Sequence, residues 1–262
     1  MPPVIDLPDS ATFAAALADR RIVTAAGVAL LSGLVRGFSG FGGAMIYMPL
    51  VAAIYEPRIA AVTILAVDVI SSTPFAIPEV RRCNWRQVLP MAIAMAVGVP
   101  FGTWLLIALD PTVLRWCIAI LVLSLVGVVA SGWRYHGEPR LPVTFAVGFS
   151  SGVTGGAVQI AGPQVILYWL TSQHGAAAVR ANVMVFFMLC GVALVANYLI
   201  EGLFTAHSLA LSLLLCVPYL SGVGIGSYFF RGSSDRLYRG IAYGVIAMAA
   251  LLSLPVLDAF LR

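Results

Sequence analysis

Two glycine-rich clusters interrupt otherwise apolar stretches of the chain, and both carry hydroxyl side chains. The first reads GFSGFGG from Gly37 to Gly43, and the second reads SSGVTGG from Ser150 to Gly156. A glycine inside a helix costs roughly 1 kcal/mol relative to alanine, so such clusters predict breaks in helices. A helix that begins after a break directs unpaired N–H groups and the positive end of its dipole toward it. This arrangement favours anion binding.

The repetition of this design predicts that the two clusters meet on one ligand in the middle of a bilayer. Irregular backbone is tolerated at that depth only where it is buried in protein or lines a cavity. The predicted substrate-binding residues are Arg36, Ser39, Gly40, Phe41, Gly42, Gly43, Ser151, Gly152, Thr154, Gly155, Gly156 and Gln159. The competing interpretation is helix packing, which glycine permits in membrane helices. We prefer that interpretation for the small-xxx-small pairs Gly98, Gly102, Gly222 and Gly226.

Two charged residues inside apolar stretches are the other candidates for chemistry. A charge within a membrane is costly and by default marks function. Arg36 stands beside the first cluster and could balance the charge of an anionic substrate, whereas Asp68, in TILAVDVISSTP, could carry a coupling proton. The alternative is a structural role, in which Arg36 pairs with Asp68 or with a carbonyl at a helix end.

Other polar residues in the apolar stretches have simpler interpretations. The hydroxyls of Ser71, Ser72 and Thr73 precede Pro74 and can bind carbonyls that the proline frees. Asn182 and Asn197 fit an interhelical hydrogen bond and a ligand contact equally well.

No pattern of metal ligands or catalytic residues is present in the sequence. His136, His174 and His207 are dispersed, and there is no GxSxG, HExxH or nucleotide-binding motif in a usable context. The four cysteines form no CxxC pair, so they are interpreted as small hydrophobic residues. We therefore expect no metal, no cofactor and no enzymatic activity.

The elements that must position these residues are predicted to be membrane helices. Hydrophobic residues make up 61% of the 262 residues and charged residues 10%, whereas soluble domains have roughly a quarter charged. Apolar stretches cover residues 22–55, 59–78, 87–109, 112–132, 141–171, 181–200, 207–230 and 237–258. Most have the roughly 20 residues that span a bilayer as a helix. All 15 basic residues are arginines, and most of them are scattered between these stretches, which indicates membrane topology rather than nucleic-acid binding.

The N-terminal residues MPPVIDLPDSATFAAALADRR lack a basic region ahead of an apolar run, so they do not resemble a signal peptide. They predict a short interfacial helix from Ser10 to Arg21, capped by Asp9 or Ser10.

The two clusters also indicate an internal duplication. Gly42-Gly43 aligns with Gly155-Gly156, and the two stretches that contain them have about 30 residues each. About 15 residues on either side of a break make roughly 22 Å of helix, too short to cross a core of roughly 30 Å. Each stretch is therefore predicted to form a broken helical hairpin. The predicted organisation is an N-terminal extramembrane segment at 1–21, a first transmembrane repeat at 22–134 and a second at 135–262.

Hairpins give each half an odd number of crossings, so the two halves are predicted to be inverted. One side then carries Arg81, Arg82, Arg86, Arg134, Arg140, Arg180, Arg231, Arg236 and Arg239. The other carries Arg20, Arg21, Arg58, Arg115 and Arg262. Cytoplasmic loops carry the basic excess, which predicts the first group inside and both termini outside. Parallel halves with eight single crossings would divide the arginines almost evenly.

The quoted residues resemble a known family. GLVRGFSGFGGAMIYMPL is similar to the signature that opens each half of the TauE/SafE family, the sulfite-exporter-like or 4-toluene sulfonate uptake permeases, and GFSSGVTGGAVQIAGPQVIL resembles its repeat. PRIAAVTI and VRANVMVF resemble the start of the following helix. The resemblance covers nearly the whole chain and implies a bacterial inner-membrane carrier of two repeats, associated with sulfite, organosulfonates and related sulfur metabolites. The second signature departs from the family pattern at Thr154, Val158 and Gln159, which leaves the substrate open.

Together these observations predict an all-α polytopic membrane protein with eight apolar segments, up to ten helices and two inverted repeats. The predicted function is secondary transport of a small sulfur-containing anion across the bacterial inner membrane by alternating access. The alternatives are a passive anion channel and a membrane scaffold or subunit without transport activity. The expected partners are a small anionic substrate and the lipid bilayer, with a coupling proton or cation and a homo-oligomer as further candidates, and no nucleic acid.

Overall fold

The part of the chain that the structure describes is entirely helical. The computed structural model describes residues 7–39, 42–131, 140–169, 176–230 and 235–255, and these form eleven α-helices, one 3-10 segment and no strand. The α-helices are α1 (Ser10–Ala18), α2 (Arg21–Ser39), α3 (Gly43–Ile54), α4 (Pro57–Ala76), α5 (Trp85–Ala108), α6 (Pro111–Ala130), α7 (Leu141–Val158), α8 (Gly162–Trp169), α9 (Ala176–Ile200), α10 (Ala206–Phe230) and α11 (Asp235–Leu252). The 3-10 segment, Ile77–Arg81, continues α4. The predicted all-α class is confirmed.

Six helices among the described residues are long and apolar enough to cross a membrane. They are α5, α6, α7, α4 with its 3-10 extension, and most of α9 and α10. Local sequence sets the starts of these helices: Pro57 and Pro111 occupy first turns, where a missing N–H costs nothing. The Asp110 carboxylate accepts a hydrogen bond from the Thr112 N–H at 2.8 Å and so caps α6. The protein is therefore a multi-pass membrane protein.

The predicted N-terminal helix is present as α1, but it ends at Ala18 and not at the predicted Arg21, which begins α2. The carboxylate of Asp9 accepts hydrogen bonds from the backbone N–H and the hydroxyl of Thr12 at 2.8 and 2.6 Å. These bonds hold the pKa of Asp9 below its ordinary value. Ala16 packs against Ala210 and Leu211, so α1 lies against the first turns of α10.

The first long apolar stretch folds back on itself. Gly43, the first residue of α3, lies against the carbonyl of Ser32 and the side chain of Arg36. Helix α3 therefore returns along α2 instead of continuing it. The two arms are unequal, whereas arms of about 15 residues were expected. At 1.5 Å per residue, the 19 residues of α2 extend roughly 28 Å and the 12 residues of α3 roughly 18 Å.

The fifth apolar stretch also folds back, because α8 returns along α7. The hydroxyls of Thr144 and Tyr168, at the far ends of the two helices, are 2.6 Å apart. Near the break, the Ser151 hydroxyl donates to the carbonyl oxygen of Ala161 at 2.9 Å. The returning arm has only eight residues.

The break between α7 and α8 lies at residues 159–161. Gly155 and Gly156, which the sequence predicts to form the break, are inside α7. That prediction is wrong, because the second glycine of the pair serves helix packing: Gly156 lies against the backbone of α5. Gln159 instead ends the helix in a left-handed conformation with φ 58°.

Two parallel helix pairs, α2 with α10 and α5 with α7, approach closely enough to require glycine. A Cβ at any of these glycines would collide with a carbonyl oxygen of the facing helix. The glycines are Gly33, Gly37, Gly222 and Gly226 in the first pair, and Gly98, Gly102, Gly148, Gly152 and Gly156 in the second. The packing interpretation of Gly98, Gly102, Gly222 and Gly226 is confirmed.

Large aromatic side chains occupy both the centre and the outside of the bundle. Tyr47, Tyr198 and Tyr219 are completely buried. In contrast, Phe101 and Trp104 on α5 are 56% and 65% exposed. An apolar outer surface is the arrangement that lipid chains favour, because the bilayer provides no water for polar side chains.

Candidate functional site

The two helix breaks face a common cavity of about 700 Å³. Gly42 lines the cavity from the first break, and Gln159 and Pro163 line it from the second. Helices α4 and α9 complete its walls, with Asp68 on one and Gly191 on the other. Both breaks therefore line one cavity, although the second break lies at residues 159–161 and not in the glycine cluster that the sequence predicts.

Arg36 and Asp68 are in contact beside this cavity. Arg36 Nη1 is 3.3 Å from Asp68 Oδ2, and Arg36 Nη2 donates to the hydroxyl of Ser72 at 2.8 Å. The Tyr219 hydroxyl donates to Asp68 Oδ1 at 3.1 Å. Asp68 lies roughly 16 Å along α4, near the middle of that span at 1.5 Å per residue. At this depth water does not solvate the two charges, so each is stabilised by the other.

The hydroxyls that precede Pro74 divide into two roles. Ser71 and Thr73 donate to carbonyls of their own helix, at Asp68 and Val69 respectively. Ser72 instead faces Arg36. The carbonyl that Pro74 frees is that of Ile70, and none of these hydrogen bonds reaches it, so the prediction that the hydroxyls bind freed carbonyls is wrong.

The first break requires glycine at both described positions where α3 begins. Gly42 has φ 89°, a conformation that side chains rarely adopt. A Cβ on Gly43 would lie 2.8 Å from the Tyr219 hydroxyl and 3.0 Å from the Arg36 Cβ. The absence of side chains therefore brings the N-terminus of α3 next to the Arg36–Asp68 pair. The Met45 N–H donates to the Gly42 carbonyl, three residues earlier in the chain, and this bond closes the first turn of α3.

The second break is fastened to α9 by a tyrosine. Gln159 is the only non-glycine residue with positive φ in the part of the chain that the structure describes. Its side-chain amide donates to the Tyr198 hydroxyl at 3.0 Å, and that hydroxyl donates to the carbonyl of Gly156 at 2.8 Å. A left-handed conformation costs roughly 1–2 kcal/mol for such a residue, so these contacts offset local strain.

Five of the predicted site residues line the cavity, and a sixth lies next to it. Those that line the cavity are Arg36, Gly42, Gly155, Gln159 and Asp68. Gly43 lies directly behind them, against Arg36 and Tyr219. The side chain of Ser39, together with Gly40 and Phe41, lies outside the described residues.

Four other predicted residues have partners within the protein. Gly152 and Gly156 face α5, and Ser151 bonds to the Ala161 carbonyl. The hydroxyl of Thr154 donates to its own helix and accepts from Gln164 at 3.0 Å. The described contacts of these residues position the second break.

The sequence analysis missed Tyr219 and Cys190. Tyr219 lies in an apolar stretch, and only its contact with Asp68, 151 residues away in the chain, distinguishes it. Cys190 lines the cavity from α9. Asn182 has an interhelical role: its carbonyl oxygen accepts from the Asn84 N–H at 2.7 Å, and its amide donates to Gln87 at 3.1 Å. That contact joins the starts of α5 and α9.

Metal ligands are not clustered in the described part of the chain, where no three His, Cys, Asp or Glu residues come together. The polar groups at the cavity include the guanidinium of Arg36, the carboxylate of Asp68, and the side chains of Ser72, Thr73, Gln159 and Cys190. The N-terminus of α3 lies beside them. Guanidinium and helix N-termini bind oxyanions.

Comparison with known proteins identifies the family. Neither the curated proteins nor the solved structures include a match to this chain. The family model described as Sulfite exporter TauE/SafE matches residues 25–253, a region that runs from α2 to the end of α11 and includes both breaks and the Arg36–Asp68 pair. On this match, the chain belongs to the TauE/SafE sulfite exporter family of membrane transporters.

Proposed function

We propose that the protein is a secondary transporter of a small sulfur-containing anion, which binds in the cavity between the two helix breaks. The family is one of membrane transporters of the sulfite-exporter type. The observation that carries the proposal is the position of Arg36, whose side chain lines this cavity and is 23% exposed. A charge inside a membrane protein is expensive and marks a substrate path.

The substrate that fits best is an organosulfonate with an apolar body. A sulfite ion, with one sulfur and three oxygens, would fill a small part of a cavity of about 700 Å³. Most of the other residues that line the cavity are apolar, including Met45, Phe187 and Leu194. A sulfonate group near Arg36 would leave the rest of the molecule against these side chains, where burial of apolar surface is favourable.

Both breaks contribute to the proposed binding site. Arg36 and the N–H groups that begin α3 would bind the headgroup oxygens. The first break contributes the segment Ser39, Gly40, Phe41, Gly42 and Gly43, and the second contributes Gly155 and Gln159. Ser151, Gly152, Thr154 and Gly156 hold the second break in place.

We further propose that the halves at 22–134 and 135–262 are inverted repeats. Three observations support this. Each half opens with a helix that is followed by a returning arm, and each of these opening helices, α2 and α7, packs against a helix of the other half, α10 and α5 respectively. Both contacts are lined by glycines. Such pseudo-symmetry allows the halves to rock around a central site, which is alternating access.

We also propose an orientation for the protein in the bacterial inner membrane. The end of the bundle where α5, α7 and α9 begin carries the described residues Arg81, Arg82, Arg86, Arg140 and Arg180. Basic residues accumulate in cytoplasmic loops, so we propose that this end is cytoplasmic. At the other end of the bundle, Arg58 near the start of α4 donates a hydrogen bond to the carbonyl of Ile107 near the end of α5. This end would then be external.

Flux measurements in liposomes that contain only this protein test the proposal. Uptake of radiolabelled 4-toluenesulfonate should saturate with concentration and should be reduced by unlabelled organosulfonates but not by chloride. Flux that rises linearly without saturation would instead indicate an anion channel. No flux of any sulfur anion would indicate a scaffold, and either result would contradict the proposal.

A further inference from the structure

Asp68 is paired with Arg36 in the structure, and this contact bears on how an anion could bind. The inference rests on the function proposed above. Arg36 Nη1 is 3.3 Å from Asp68 Oδ2, and the two side chains are 23% and 27% exposed. Both line the cavity. An anion that enters the cavity therefore meets a cation that a carboxylate already neutralises.

We propose that one proton binds together with each monovalent anion. The anion takes the place of Asp68 on Arg36, and the displaced Asp68 carboxylate takes up a proton from water to form a neutral acid. The site carries one positive and one negative charge before binding. It carries the same balance afterwards, because the anion replaces the carboxylate. Two anions on one guanidinium would leave a net charge in a region of low dielectric, which is costly.

Tyr219 suits both states of Asp68. Its hydroxyl donates to Asp68 Oδ1 at 3.1 Å in the structure. A phenol oxygen also accepts hydrogen bonds, so the same atom can accept a hydrogen bond from the O–H of a neutral Asp68. Tyr219 is completely buried, and its ring packs edge-on against Tyr47 with 6.5 Å between the ring centroids. This packing keeps the hydroxyl beside Asp68 whichever charge state is present.

The remaining ionisable groups near Asp68 do not change charge in the relevant range. Among the described residues they are Arg36 on α2, Tyr47 on α3, Cys190 on α9 and Tyr219 on α10. Arginine stays protonated, and the ordinary pKa values of cysteine and tyrosine lie above 8. Proton exchange between pH 5 and 8 would therefore be attributable to Asp68.

Isothermal titration calorimetry of the detergent-purified protein with 4-toluenesulfonate tests this inference. The probe is the anion of a strong acid and does not titrate between pH 5 and 8, so any proton exchanged belongs to the protein. The Kd should weaken by up to about tenfold for each unit rise in pH, since deprotonated Asp68 competes for Arg36. Titrations in buffers of different ionisation enthalpy should report uptake of up to one proton for each anion bound.

Two variants separate Asp68 from other sources of pH dependence. Asp68→Asn resembles the neutral acid, so it should bind the probe at pH 8 as tightly as the wild type binds it at low pH, without proton uptake. Asp68→Glu, the matched control, should keep the pH dependence. A pH dependence that persists in Asp68→Asn would contradict the assignment of the proton to Asp68.

The wild-type titrations distinguish this inference from the function on which it rests. Binding with a constant Kd and no proton uptake would overturn the proton linkage and leave the proposed anion site intact. No binding at any pH would overturn both. These measurements need no variant, so a folding defect in Asp68→Asn would not obscure the result.

Discussion

Alanine substitutions on two faces of α10 test the helix packing that positions the cavity. An added Cβ at Gly222 or Gly226 would collide with a backbone carbonyl of α2, whereas an added Cβ at Gly224 meets no atom within 4 Å. The three glycines lie in one helix within five residues of one another. Each substitution adds the same methyl group and gains similar helix propensity, so the comparison isolates the close approach of α2 and α10.

The expected magnitudes follow from two opposing effects. Alanine is favoured over glycine in a helix by roughly 0.8–1 kcal/mol, so Gly224→Ala should be neutral or stabilising. Overpacking that shifts the backbone costs about 1–3 kcal/mol. The colliding atoms at Gly222 and Gly226 are backbone carbonyls, which cannot rotate away. We therefore expect Gly226→Ala to be about 1–3 kcal/mol less stable than Gly224→Ala.

Thermal unfolding of the detergent-purified variants measures this difference. A change of 1 kcal/mol shifts the Tm by roughly 2–4 °C for a chain of this size. Gly222→Ala and Gly226→Ala should therefore unfold several degrees below Gly224→Ala. Equal Tm values for all three variants would refute the claim that glycine is required where α2 meets α10.

Two further predictions concern the polar contacts around the cavity. Tyr198→Phe should destabilise the protein by about 1–2 kcal/mol in thermal unfolding, because Gln159 and the Gly156 carbonyl lose their partner; an unchanged Tm would show that the second break does not depend on Tyr198. Ser72→Ala should weaken 4-toluenesulfonate binding several-fold in calorimetry, because Arg36 loses a positioning hydrogen bond. The control Ser71→Ala removes a bond within α4 and should leave Kd unchanged; equal effects of the two variants would contradict this role.

The membrane fold and the two charged residues could be predicted because they follow from composition. Few charges and long apolar stretches suit only a bilayer, and Arg36 and Asp68 are conspicuous within such stretches. The sequence could not decide between a role for Arg36 with a substrate and a structural pair with Asp68. The structure contains the pair, and the pair lies in the wall of the cavity.

The second break could not be located from sequence because glycine serves two purposes. Gly42 has a left-handed conformation, while Gly156 permits contact with α5. Nothing local distinguishes these uses until the facing helix is known. The break itself depends on Gln159, a residue type that rarely adopts positive φ and is fixed here by Tyr198. Contacts between residues far apart in the chain also explain why Tyr219 was missed.

The claim that Arg36 forms the anion site is tested most directly by measuring equilibrium binding of radiolabelled 4-toluenesulfonate to the double variant Arg36→Gln/Asp68→Asn. This variant removes both charges together, so neither is left unpaired in the membrane. A hydrogen bond to a charged group contributes about 1.5–3 kcal/mol, so the affinity should fall about ten- to hundredfold. The control Arg21→Gln, at the other end of α2 where Arg21 pairs with Asp19, should bind as the wild type does. Wild-type affinity in a folded double variant would contradict the account.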